Sequence, residues 1–345
     1  MKYFKGSFFF TIICLFLAAF LGYNATGTST GALSTVLICA ILGVLEVSLS
    51  FDNAVVNATV LKDMNHIWRG RFLTWGMLIA VFGMRLLFPL IIVGIAAHLD
   101  PVAALDLAIK QPEKYAEILS GAHIGIMGFG GSFLALVGLK FFFDAEKDIH
   151  WITFIENQLA KFSKLEAIEI VIVLLAIFGM SKLLPEAEAL TFIISGIFGI
   201  ITFIAVEAIG TMLEAEDATT TVAKAGLGAF LYLEVLDASF SFDGVIGAFA
   251  LSTNLFVIVL GLGIGAMFVR SLTIMLVELD TLTKYRYLEH GAFWAILALS
   301  GLMFVSVSHE VPEVVTGLIG AACILLALLS SICWNKKHPE EESKN

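Results

Sequence analysis

Charge is what this sequence has least of. Asp, Glu, Lys and Arg make up 14% of its 345 residues, where soluble domains carry about 25%, and 59% of the chain is hydrophobic, with a mean hydropathy of +0.95. That shortage excludes an ordinary soluble domain and indicates an all-α, polytopic integral membrane protein. Clustered base is missing as well: no patch of Lys and Arg interleaved with aromatics occurs, so the net charge of −10 gives no reason to expect nucleic acid as a partner. The four cysteines, Cys14, Cys39, Cys323 and Cys333, lie in apolar stretches without metal-ligand spacing or a disulfide framework and read as packing residues. The seven histidines are dispersed near expected helix ends, and none is assigned to metal or catalysis. No nucleophile and base pair is apparent, so the chain is not read as an enzyme and no organic cofactor is expected. The stretch "GIMGFGGSF" from Gly125 lacks the Gly-Lys-Ser/Thr ending of a phosphate loop; close helix packing explains it better, as it does Gly261, Gly263 and Gly265.

What the chain does have is long apolar runs. At about 20 residues per crossing, spans are expected near 8–22, 31–61, 70–97, 120–142, 165–184, 189–211, 226–252, 255–277, 290–308 and 312–333, about ten in all. The first, which follows Lys2 and Lys5, reads as a retained helix, with a cleaved signal peptide as the alternative. With a cytoplasmic N-terminus, fifteen Lys and Arg fall on the inner side, three (Lys110, Lys114, Lys182) on the outer side, and Arg85 and Arg270 within spans. This bias puts both termini in the cytoplasm of a bacterial-type inner membrane. Segments 98–119 and 144–164 read as an external loop with a short surface helix and its cytoplasmic counterpart. The organisation expected is therefore an N-terminal helix or anchor (1–30), a first membrane repeat (31–144), a cytoplasmic loop with an inserted helix pair (145–225), a second repeat (226–333) and a disordered tail (334–345).

The repeats are visible in the letters. "VLEVSLSFDNAV" from Val44 recurs as "VLDASFSFDGVI" from Val235, and each copy precedes a span in which Gly stands nine residues before an Arg, ending at Arg85 and Arg270. Five crossings separate the two motif helices, an odd number, so the copies run in opposite directions. Inverted repeats are common in secondary transporters, with the substrate site near the midplane. Glu46 and Ser239 sit at the centres of their expected spans.

On a regular helix Glu46, Ser50, Asn53 and Asn57 share one face within about 60°, while Asp52 lies roughly 9 Å along the axis and about 120° around from Glu46. Either the Ser-Phe-Asp-Asn stretch is unwound, or the partners of each acid come from the other repeat. Opposed directions would bring Glu46 level with Asp243 and Asp52 level with Asp237. Ionised, these four acids against Arg85 and Arg270 leave two net negative charges, which a bound divalent cation would balance. Carboxylate, amide and hydroxyl oxygens suit a hard ion such as manganese, magnesium or calcium. The plainer alternative is that the acids pair with the arginines as structural glue. Ser48 and Ser239 read as bonded to backbone carbonyls one turn back. Glu234 and Glu207 are either proton carriers or helix-end residues facing solvent.

"FDNAVVNATVL" and "FDGVIGAFAL" resemble the paired motifs of the TerC family of the LysE transporter superfamily, as a little-characterised branch of it; the likeness covers roughly 31–144 and 226–333. It implies export of a divalent metal, chiefly manganese, with some members associated with tellurite resistance or with metal supply to secreted enzymes. It also implies metal-site positions at Glu46, Asp52, Asn53, Asp237 and Asp243. Ser50, Asn57, Ser241 and Glu234 are supporting polar residues, and Arg85 and Arg270 intramembrane charge partners. Gly247 departs from the family's proline, and the two spans between 165 and 211 look inserted. The expectation is a secondary transporter of Mn2+, with a non-transporting metal-binding or partner-binding scaffold as the alternative. The partners expected are the bilayer, the metal ion, and either further copies of the chain or other membrane proteins.

Overall fold

A computed structural model describes residues 2–76, 78–144, 147–165, 167–214, 221–309 and 311–338; within its helices some side chains, including those of Ser241 and Asp243, lie outside the described set. Helices α1 (Lys5–Thr26) and α2 (Ser29–Leu49) form a hairpin. Gly27 closes α1 in the left-handed region, its N–H bonded to the Tyr23 carbonyl, and Thr28 Oγ1 caps α2 by accepting from Gly31 N. One residue, Ser50, separates α2 from α3 (Phe51–Asp63). α4 (His66–Arg71) leads into wide π-helical turns at Phe72–Gly76 and Ile79–Leu87, and α geometry returns in α5 (Phe88–Ala97). The chain bends by 101° between Phe82–Ala97 and α6 (Pro101–Lys110). Pro101 begins α6, the Asp100 carboxylate caps it, and Pro112 begins α7 (Pro112–Gly121).

There follow α8 (His123–Phe143), the short α9 (Thr153–Leu159) with a 3-10 turn at Ala160–Lys164, α10 (Ile168–Ser181), α11 (Glu186–Glu214) and α12 (Thr221–Leu251). The chain ends in α13 (Leu255–Glu278), capped by Asn254, then α14 (Thr281–Lys284), α15 (Leu288–Ser306) and α16 (Glu313–Lys337). No strand occurs among the described residues.

Each expected span overlaps helix among the described residues. Seven helices are by themselves long and apolar enough to cross a bilayer, eight if the bent pair at 82–110 counts as one, and they mark the chain as a membrane protein. Four expectations need correction. The span 31–61 is two helices broken at Ser50, and the span 165–184 shrinks to α10, whose 14 residues rise only about 21 Å. The segment 98–119, expected as an external loop with one short surface helix, forms two helices, α6 and α7, whose inner faces bury Ala104, Ala108, Tyr115 and Leu119 with Leu90, Val93, Val245 and Ile258 while their other faces stay exposed. The tail is helical through Lys337, and only 339–345 lie outside the described residues.

Burial sorts the helices by neighbour. α8, α13 and α15 are mostly enclosed, whereas α1, α2, α11 and α16 turn large apolar side chains such as Phe16, Leu37, Phe198 and Leu326 outward. An apolar exterior of that extent is what a lipid-facing surface requires. The glycines of α8 permit close approach in the interior: a Cβ on Gly128, Gly130 or Gly131 would come within 3 Å of Phe192, Met303 or Phe304. Cys14 and Cys39 are buried, Cys323 is half-buried, and all four thiols are free.

Candidate ion site at the break between α2 and α3

The break begins with backbone bookkeeping. Ser50 leaves helical geometry (φ −103°, ψ 20°), its N–H bonds to the Glu46 carbonyl, and its Oγ donates to Glu46 Oε1 at 3.1 Å. Asp52 sits in the first turn of α3, where its carboxylate accepts from Asn53 N at 3.0 Å. A negative charge there meets the positive end of the α3 dipole. The break thus orients the two acids differently, resolving a geometry that a regular helix could not satisfy.

Glu46 is buried and forms an ion pair with Arg85, which the π-helical turns of Ile79–Leu87 present from the side. A wide turn is a frequent feature of functional sites; here it carries the only guanidinium bonded to Glu46 among the described residues. α13 passes α2 with no space between them: a Cβ on Gly265 would lie 2.3 Å from Glu46 Cβ. Asn53 Nδ2 donates to Asp237 Oδ1 at 2.6 Å, and Asn57 also reaches that carboxylate. Glu46 Oε2 lies 3.1 Å from where a Cβ would stand on Gly244. Position 46 therefore meets 244 while 53 meets 237, and α2–α3 runs antiparallel to α12 at this level. Gly244 neighbours Asp243, whose side chain lies outside the described set along with that of Ser241.

Asp52 does not face Asp237. It turns to α16, where a Cβ on Gly320 would lie 2.7 Å from its Oδ2, and Gly317 meets Leu49 equally closely. Two small chambers result. The first, about 40 Å³, is lined by Glu46, Asp52, Gly244 and Thr316; the second, about 20 Å³, by Asn57, Arg85, Glu234, Asp237, Arg270 and Thr273. Ser50 and Asn53 line both, so the Asn53–Asp237 bond is a partition between them. Ser48 and Ser239 bond to the carbonyls of Val44 and Val235, at 2.8 and 2.9 Å, and are not directed at either chamber. Among the described residues no three Asp, Glu, His or Cys side chains gather as a ready-made metal cluster; the oxygen donors come instead as pairs of acids mixed with amides and hydroxyls.

Residues 51–338 match the family described as Protein of unknown function (DUF475). The chain belongs to that family. The DUF475 stretch begins one residue after the helix break and takes in both arginines and the whole second motif, while Glu46 and Ser50 precede it. No curated protein and no solved structure matches the chain.

One polar centre of this DUF475 protein escaped the motif reading. Glu156 of α9 is buried and accepts from Trp151 N (3.0 Å), Ile152 N (3.2 Å), His290 Nδ1 (2.9 Å) and Trp294 Nε1 (3.1 Å). Burial opposes its charge, but the bonds from His290, Trp294 and Ile152 outweigh that and hold its carboxyl at about 2. Beside it Lys147 lies over the Phe141 ring, its ammonium pushed down to about 8 by burial. This cluster straps 147–164 to α15. A lone Glu in a polar loop carries no sequence signal of its own; only the adjacent His290 and Trp294, four residues apart on one helix face, could have hinted at a partner. Glu207, by contrast, is paired with Lys140 at the rim of a larger recess, both well exposed.

Proposed function

We propose that this DUF475 protein is a secondary transporter that exports a divalent cation, manganese foremost, through a bacterial-type inner membrane. The observation that carries the reading is the pair of polar chambers meeting at Ser50 and Asn53 beside a broken helix, enclosed by apolar helices. Buried acids in a membrane interior are costly and need a compensating function, and discontinuous helices near the midplane are how many transporters expose oxygen ligands. The antiparallel passage of α2–α3 against α12 supports reading the two motif copies as an inverted repeat, and the inner-side excess of Lys and Arg supports cytoplasmic termini. Asp52, Asn53 and Asp237, joined by Glu46 and Asp243, are the proposed ligands, with Ser50, Asn57, Ser241 and Glu234 in support. Resemblance to the TerC family selects manganese among the hard ions.

A second reading has one observation in its favour. Glu46 is already engaged by Arg85, as a structural ion pair in a scaffold would be. Vesicles reconstituted with the purified protein and loaded with manganese decide between them. The transporter reading requires protein-dependent efflux that Asp52→Asn abolishes; no efflux of manganese, magnesium or calcium would leave the scaffold.

A further inference from the structure

The second chamber has a chemical peculiarity: its unpartnered groups include oxygen acceptors from three buried side chains. Glu234 is 7% exposed and neither of its carboxylate oxygens has a hydrogen-bond partner, and the same holds for Asn57 Oδ1 and Asn53 Oδ1. A buried oxygen acceptor left without a donor is costly, and four oxygens around one small space would be satisfied together by a single species that offers only positive charge. The volume, about 20 Å³, is right for one ion or one water.

We infer that this chamber is a second divalent-cation station, with Glu234, Asp237 and the amide oxygens of Asn53 and Asn57 as ligands, separate from the station at Asp52. Its role as a step in transport rests on the reading above; its existence as a binding site does not. The donor set is all oxygen, which selects a hard cation. Glu234 and Asp237 stand three residues apart on α12, about one turn, so their side chains fall on the same side of that helix. Opposite them Gly76 presents bare backbone: a Cβ there would lie 2.6 Å from Glu234 Oε1. Thr273 adds a hydroxyl whose hydrogen is given to the Val269 carbonyl.

Charge sets the rank of the two stations. Arg85 and Arg270 line the Glu234 chamber, whereas neither lines the Asp52 chamber. Arg85, although paired with Glu46, and Arg270 still bring positive charge to this chamber and not to the other, so the Glu234 station is the weaker of the two. A pathway needs such a difference, because an ion must be held firmly enough to enter and loosely enough to leave. The Asn53–Asp237 bond then stands between a tighter and a looser position, and Asn53, with Ser50, lines both.

The test is the number of manganese ions bound by the full chain, purified in detergent, measured from the loss of the free-ion signal in room-temperature electron paramagnetic resonance. The wild type should bind two ions of unequal affinity. Glu234→Gln, which keeps size and shape, should lose the weaker ion and keep the tighter one, Asp52→Asn should lose the tighter, and Glu234→Asp should retain both. Asn57→Ala is the second route to the weaker site and should reduce the same ion. A wild type that binds one ion or none, or a Glu234→Gln protein that still binds two, overturns the second station. One ion with efflux from vesicles would remove the station and leave the transport reading intact; two ions without efflux would do the reverse.

Discussion

At the scale of single residues, the ion pair Glu46–Arg85 has the most definite energetic consequence. Both groups are buried, and removing one partner of a buried pair strands the other at a cost of about 3–5 kcal/mol. Arg85→Met should therefore lower the thermal stability of the detergent-solubilised protein markedly, and Glu46→Gln combined with it should recover most of the loss. Additive losses in the double variant would show that the two side chains do not depend on one another. Ser48→Ala should leave both stability and transport unchanged, because its hydroxyl bonds only to its own helix. The acids and arginines that make these statements specific were legible in the sequence, since the repeated motif and the paired Gly-to-Arg spacing single them out. What was not legible is direction. Asp52 turns to α16 and Asn53 to α12, a split that follows from one non-helical residue, Ser50, and no periodicity announces where a helix will break.

At the scale of elements, two arrangements can be tested without reference to function. Antiparallel packing of α2–α3 on α12 predicts that cysteines introduced as the pairs 46/244 and 53/237 crosslink readily, whereas 53/244 does not. Seven residues of helix separate positions 237 and 244, roughly 10 Å, beyond the reach of a disulfide at about 7 Å. Preferential crosslinking of 53 to 244 would contradict the antiparallel register. The strap at Glu156 makes a different prediction. Its carboxyl is held at about 2 against an ordinary 4.5, so the stability it contributes is complete above pH 4.5 and is lost as the pH falls toward 2. The fluorescence of Trp151 and Trp294 should shift over that window, and Glu156→Gln should show the shifted spectrum already at neutral pH; an acid-independent spectrum would show that the strap does not depend on this charge. Sequence patterning found a short helix in 98–119 but not its partner or its buried face, because the helices are short and the charged residues (Asp106, Lys110, Glu113, Lys114) mask the buried Ala104, Tyr115 and Leu119.

At the scale of the whole molecule, an apolar core encloses two small polar chambers, and the outer helices turn further apolar side chains outward, as a chain with so little charge leads one to expect. With both termini cytoplasmic, as proposed, the Glu234 chamber lies toward the cytoplasm and the Asp52 chamber toward the outside, so the proposed export path runs from the Glu234 side to the Asp52 side. Along that path, on the function proposed, a divalent cation moves. The most direct measurement is the manganese, magnesium and calcium content of cells with and without the protein after a challenge with each ion. Deletion should raise retained manganese and slow its efflux, and Asp52→Asn should fail to restore either. Unchanged content and efflux for all three ions would contradict the proposed export.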